Sequence, residues 1–173
     1  MAIRQHMADI AKFEAESCFH GAVMQMEPNL LPIVELFPKW PVEEADGMWC
    51  AAFVYYCCKR AGFKIPIKPK GCSASLAGCF QWEEWAMGDE DIGYYPAECD
   101  GFSPQAGDIV LFDKVFINQD HDHIGIVLEN KETSIMTAEG NINNVSGVVR
   151  RKKDGHIRAY IRIPDGYECT QGV

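Results

Sequence analysis

The chain has 173 residues and a formal net charge of −9, with 47% apolar and 24% charged side chains. That length suits one domain with a sizeable core and is short for two, and the surplus of carboxylates argues against a nucleic-acid groove or charge-driven binding to anionic lipid. No run approaches the roughly 20 apolar residues of a membrane span, and Met1 to Ile10 carry charge where a secretion leader needs its apolar segment, so neither membrane insertion nor a signal peptide is expected.

Ile3, Met7, Ile10 and Phe13 recur at helical spacing and predict a packing helix over residues 3–19. Prolines at positions 28, 32, 38 and 41 then break the chain into short turns. The stretch from Asp46 to Gly62 reads as one helix. Asp46 is a good N-cap, Lys59 and Arg60 complement the negative end, and Gly62 suits the left-handed residue that closes a helix. Every residue from Ala51 to Cys58 is apolar or aromatic, so this helix is expected to run through the middle of the fold. Cys50 falls in its first turn, where free backbone N–H groups favour thiolate. Cys57 and Cys58 are expected to be inert core thiols.

Ile65-Pro66-Ile67-Lys68-Pro69 is extended by its prolines. A second helix is predicted over Ser73–Met87, its Leu76, Phe80, Trp82, Trp85 and Ala86 covering the core rather than forming a substrate shelf. Residues 88–103 read as an acidic loop; Asp89-Glu90-Asp91 lacks the alternating ligands and glycine of a calcium loop. After Pro104 the pattern becomes that of strands: Asp108–Asp113, too apolar on both faces for an edge, then His123–Glu129, Thr133–Glu139, Gly147–Lys152 and His156–Ile163. Helices first and closely linked strands after predict an α+β fold with an antiparallel sheet, and Pro164–Val173 a loose tail.

Eight cysteines (18, 50, 57, 58, 72, 79, 99 and 169) contain no Cys-x-x-Cys, and the adjacent pair Cys57-Cys58 cannot readily bridge to itself. Cys72 and Cys79 can bridge or bind metal, but burial as reduced thiols is expected. No metal or cofactor site is expected.

A thiol nucleophile needs a base, and the base needs a group that holds its ring. His123 is the leading base: it opens a strand in which His123, Gly125 and Val127 share one face and Ile124, Ile126 and Leu128 the other. A glycine inside a strand marks close approach of something, here expected to be the Cys50 helix. His121 has the same parity but lies in a polar loop and is read as solvated. Glu139 and Asn141 flank Gly140; alone they read as a polar turn. If the chain stays extended they project to one side, and either can accept the proton on the second imidazole nitrogen of His123.

Trp49-Cys50-Ala51-Ala52-Phe53-Val54, Pro104 to Phe112, His123-Ile124-Gly125-Ile126-Val127 and Glu139-Gly140-Asn141 follow one another in an order that resembles the CHAP family (cysteine- and histidine-dependent amidohydrolases/peptidases), cousins of the NlpC/P60 peptidases. The resemblance implies a papain-like α+β fold, with N-terminal helices packed on a C-terminal antiparallel sheet. It also implies a single catalytic domain over 1–173: a helical lead-in (1–44), a core (45–163) and a tail (164–173). The implied activity is cysteine-dependent hydrolysis of an amide bond in peptidoglycan or a muropeptide, by an N-acetylmuramoyl-L-alanine amidase or a peptide-crosslink endopeptidase. The nucleophile carries over to Cys50, the base to His123, and the orienting and assisting roles to Glu139 and Asn141. The γ-glutamyl bond favoured by the cousins is an alternative target; an inactive wall-binding or inhibitory module and a structural zinc protein are rival readings. Six positions before Cys50, where the papain group often has glutamine, stands Glu44, an acceptor when ionised, which leaves the Cys50 backbone N–H as the natural oxyanion donor. Such a chain is cytoplasmic as synthesised and acts at the wall if exported or released.

Overall fold

The structure, a computed structural model, describes residues 3–21, 28–38 and 48–169. Four α-helices precede the sheet: α1 (Ile3–Glu16), the one-turn α2 (Leu31–Val34) behind a 3-10 turn, α3 (Cys50–Arg60) and α4 (Cys79–Gly88). Six strands follow: β1 (Gly93–Pro96), β2 (Ile109–Phe112), β3 (His123–Asn130), β4 (Ser134–Ile142), β5 (Val145–Lys152) and β6 (Ile157–Arg162). They form one antiparallel sheet in the order β1-β6-β2-β3-β4-β5. This is the α+β architecture expected from the change of period along the chain.

Strand parity divides the core. Ile109, Leu111, Ile124, Ile126, Ala138 and Ile161 belong to the same cluster as the buried residues of α1 and α3, while Val110, Phe112, Val127, Ile135, Ile157 and Tyr160 form a smaller one. All four residues of β2 are buried because it lies inside the sheet, between β6 and β3.

Helix α3 has nine consecutive buried residues, Cys50–Cys58. It closes as expected: Gly62 has φ +97°, its N–H donates to the Lys59 carbonyl and the Phe63 N–H to the Cys58 carbonyl, which satisfies two end groups of the helix. Its start differs from the expected one: the helix begins at Cys50 behind Trp49, which occupies the cap position without a side-chain cap bond, and the expected cap Asp46, like Glu44, lies outside the described residues.

Elsewhere the structure departs from the sequence reading. The buried stripe of α1 is Met7, Ala8, Ala11, Glu14 and Ala15, whereas Phe13 is 66% exposed. At about 100° per residue Phe13 lies about 120° round from Met7, and the alanines are what let α1 come close to its neighbours. Buried Glu14 accepts an ion pair from Arg60 at 2.8 Å, tying α1 to the end of α3. Helix α4 begins at Cys79, not Ser73: Gly78 is extended at its N-cap, and the Ser73 N–H and hydroxyl both donate to Glu84, folding 73–78 back as turns. Within the expected acidic loop, β1 pairs with β6 at the sheet edge, where its terminal proline costs no ladder bond. The described part of the tail is packed: Tyr167 is buried, its hydroxyl donating to Asp89 at 2.8 Å. Among the described residues no helix is long and apolar enough to cross a membrane.

Candidate active site

Cys50 is the first residue of α3 and is 2% exposed. His123 is the first residue of β3, and the antiparallel register with β4 (Ile126 opposite Ala138, Val127 opposite Thr137) puts Glu139 on the same face. The His123 Nε2–H donates to Glu139 Oε2 at 2.7 Å, both side chains being essentially inaccessible. Arg151 of β5 forks the carboxylate, Nε on Oε1 at 2.9 Å and Nη2 on Oε2, and the Thr137 hydroxyl donates to Oε1. Burial pushes Glu139 up, but Arg151 and His123 outweigh it and hold the carboxyl at about 2. Phe112 stacks on the imidazole at 6.0 Å between centroids, and Phe116 meets it edge-on at 4.8 Å.

The glycines show what approaches what. A Cβ at Gly125 would stand 2.8 Å from Glu139 Cγ, so the visitor at that position is Glu139 rather than the Cys50 helix. The helix instead meets Gly140, where a Cβ would lie 2.5 Å from Phe53 Cβ and 2.8 Å from Trp49 Cζ3. Gly140 thus sets the depth at which α3, and with it Cys50, sits on the sheet.

Burial lowers the His123 pKa, yet hydrogen bonds and charge from Cys50 and Glu139 raise it to about 9. For Cys50 a hydrogen bond from the Cys79 thiol lowers the pKa most, burial opposes it, and His123 and the Ala51 N–H lower it further, to about 5. The two sulfurs are 3.5 Å apart, and Cys79, the first residue of α4, is pushed well above the usual thiol range, mainly by that same bond. Of the two thiols Cys50 is the one to ionise, because it also has the imidazole; Cys79 is the donor. Nothing in the sequence singled Cys79 out for this, since the helix there was expected from Ser73; a cysteine in a helix's first turn is the signal that marked Cys50, and Cys79 occupies that place only once α4 begins behind Gly78. Arg151 likewise carries no local signal: it is one of four consecutive basic residues, Arg150 to Lys153, and only strand parity brings it round to Glu139.

Asn141 lines a cavity of about 210 Å³ with His123, Met48, Phe116, Ile117, Asp122, Asn143 and Asn144. The chain is not extended there: Asn141 has φ +57° at an irregularity in the β4–β5 register, so it does not project beside Glu139. Its buried Oδ1 has no hydrogen-bond partner among the described residues. Glu139 is therefore the group that takes the ring N–H, and Asn141 faces the cavity beside it. His121, expected to be solvated, is mostly covered instead, with Nε2 on Glu83, whose carboxylate also accepts from Arg158 and Tyr94.

No disulfide is formed among the described cysteines. Burial raises the pKa of both Cys57 and Cys58, in keeping with inert core thiols. Cys72 turns to the Gln81 carbonyl and does not join Cys79. Among the described residues no group of three or more His, Cys, Asp or Glu side chains is placed to hold a metal.

A buried thiol opening a helix, laid against an antiparallel sheet that supplies an imidazole and a carboxylate, is the arrangement of the papain-like fold. The CHAP domain family model matches residues 43–141, more than half of the chain, and the chain belongs to that family. No curated protein and no solved structure matches it. Membership supports hydrolytic activity of the peptidoglycan-hydrolase type, with a peptidoglycan-type substrate.

Proposed function

We propose that the chain is a cysteine amidohydrolase that cleaves an amide bond of peptidoglycan through a thiol acyl-enzyme, with residues 45–163 as its catalytic core. The observation that carries this reading is the buried pair of His123 Nε2 and Glu139 Oε2 at 2.7 Å, which leaves the other ring nitrogen for Cys50. At neutral pH the directions of the pKa shifts favour thiolate on Cys50 and imidazolium on His123.

In the proposed mechanism the Cys50 thiolate attacks the amide carbonyl and the backbone N–H groups at the start of α3 steady the oxyanion. The His123 Nδ1–H then protonates the leaving amine. The neutral imidazole next takes a proton from water, which attacks the thioester and releases the acid. Glu139, fixed by Arg151 and Thr137, keeps the ring aimed and balances its charge through the cycle. Asn141 offers its carbonyl oxygen to the cavity in which a substrate N–H would lie.

The test is digestion of purified peptidoglycan followed by mass spectrometry of the released fragments. An N-acetylmuramoyl-L-alanine amidase frees an intact stem peptide; a crosslink endopeptidase leaves a stub on the sugar. Cys50→Ala is expected to lose at least roughly a thousandfold in rate, as removal of a covalent nucleophile does. Undiminished release by that variant would refute the thiol mechanism.

A further inference from the structure

The Cys79 sulfur lies 3.5 Å from that of Cys50, and the two residues open different helices, α3 and α4. Each thiol is buried, and Cys50 stands between His123 on one side and Cys79 on the other. The remaining cysteines are engaged or placed elsewhere: Cys58 contacts the Met7 sulfur, Cys72 the Gln81 carbonyl, and Cys18 and Cys99 are exposed. Cys79 is the thiol in contact with Cys50, and the pair needs only about 1.5 Å of approach to reach the disulfide length of about 2.05 Å. Cys79 is placed to make that movement, since it is the first residue of α4, behind the extended Gly78 and the turns over 73–78, rather than in the helix interior.

We propose that Cys50 and Cys79 form a peroxide-responsive dithiol, in which oxidation joins them as a disulfide, removes the nucleophile, and is reversed by an external thiol. In the first step the Cys50 thiolate attacks one oxygen of a hydroperoxide: the S–O bond forms, the O–O bond breaks, and with a proton from the His123 imidazolium the products are sulfenic acid and water (or an alcohol). The Cys79 sulfur then attacks the Cys50 sulfur; the S–S bond forms, the S–O bond breaks, and the oxygen leaves as water with the Cys79 proton. Two thiols lose two electrons and the peroxide is reduced by two, so the balance closes. The arrangement also protects the nucleophile. A sulfenic acid with a resolving thiol at hand is captured before it reaches the irreversible sulfinic state. The inhibitory consequence rests on the reading of Cys50 as nucleophile, but the chemistry does not.

The experiment exposes the full chain to a small excess of hydrogen peroxide, blocks free thiols with iodoacetamide, and maps the unreduced peptides by mass spectrometry. One crosslinked species, Cys50 to Cys79, is expected, and dithiothreitol should restore Cys50 alkylation nearly in full. In Cys79→Ala no such crosslink can form, and Cys50 should pass to sulfinic acid that dithiothreitol does not recover; Cys79→Ser, which keeps the site polar and nearly isosteric, should behave the same way. A wild-type chain that joins Cys50 to another cysteine, or that loses Cys50 as irreversibly as the two variants, overturns the proposal. Because the readout is thiol chemistry, a chain that forms the disulfide but never cleaves peptidoglycan would count against the proposed activity alone.

Discussion

At the scale of single residues, the pair Cys50 and His123 has a defined pH window. The His123 pKa is raised to about 9, so the stability its charge contributes is complete below its unfolded value of about 6.5 and is lost as pH rises through about 9. The Cys50 pKa is lowered to about 5, so the contribution of the thiolate is complete above about 8.5 and is lost as pH falls through about 5. Alkylation of Cys50 by iodoacetamide should therefore persist down to about pH 5, and in His123→Ala its midpoint should move up toward the ordinary thiol value. Cys79→Ala should move it in the same direction by removing a donor. An unchanged profile in both variants would mean that neither group touches the thiolate. Arg151→Met tests the other end of the relay: it strips a cation from a carboxylate with no exposure, and a loss of about 3 kcal/mol in urea unfolding is expected. Cys50, His123 and Glu139 were legible in the sequence because Cys50 and His123 open their elements and Glu139 stands before a glycine in a short polar stretch. Cys79 and Arg151 were not, because Cys79 falls inside the helix expected from Ser73 rather than at its start, and Arg151 is one of four consecutive basic residues whose facing only the sheet register decides.

Elements show the same division. Helix α3 could be read from its apolar run, its basic last turn and Gly62, since all these signals are local. Strand β1 could not: four residues ending in proline look like a turn until β6 lies beside them. The face of α1 differs from the one its large side chains predict, because its close packing is made by alanines: Ala11 and Ala15 are fully buried and Phe13 is not. Gly125 advertised a close approach without saying from where. Gly140 carries the more demanding contact, since the added Cβ of Gly140→Ala would meet Phe53 Cβ at 2.5 Å, a position that cannot swing away. That substitution should cost about 1–3 kcal/mol, as overpacking does, and lower the thermal midpoint. It should also blunt Cys50 alkylation, because α3 must lift; a variant with the stability loss but an unaltered thiol would show that the depth of α3 does not control the site.

Taken as a whole, the molecule is held together across its length. Helix α1 packs with α3 in one core, and Ser146 of β5 donates to the Ala15 carbonyl at 2.9 Å. Arg4 and Arg162 both pair with buried Asp108, gathering the start of α1, the turn before β2 and strand β6 at one carboxylate. Removing residues 1–16 should therefore abolish cooperative thermal unfolding rather than trim a lead-in, as calorimetry would record. The division of labour between layers has a mechanical side. The imidazole on β3 is tied to the next two strands, to β4 through Glu139 and Thr137 and to β5 through Arg151, while the thiol rides on the helices. Sliding of one layer over the other leaves the imidazole–carboxylate bond intact but changes the gap that the proton must cross. Thiol reactivity thus works as a displacement gauge for the helix–sheet interface, and hydrostatic pressure or a distant core substitution at Phe53 should register there before any strand is disturbed.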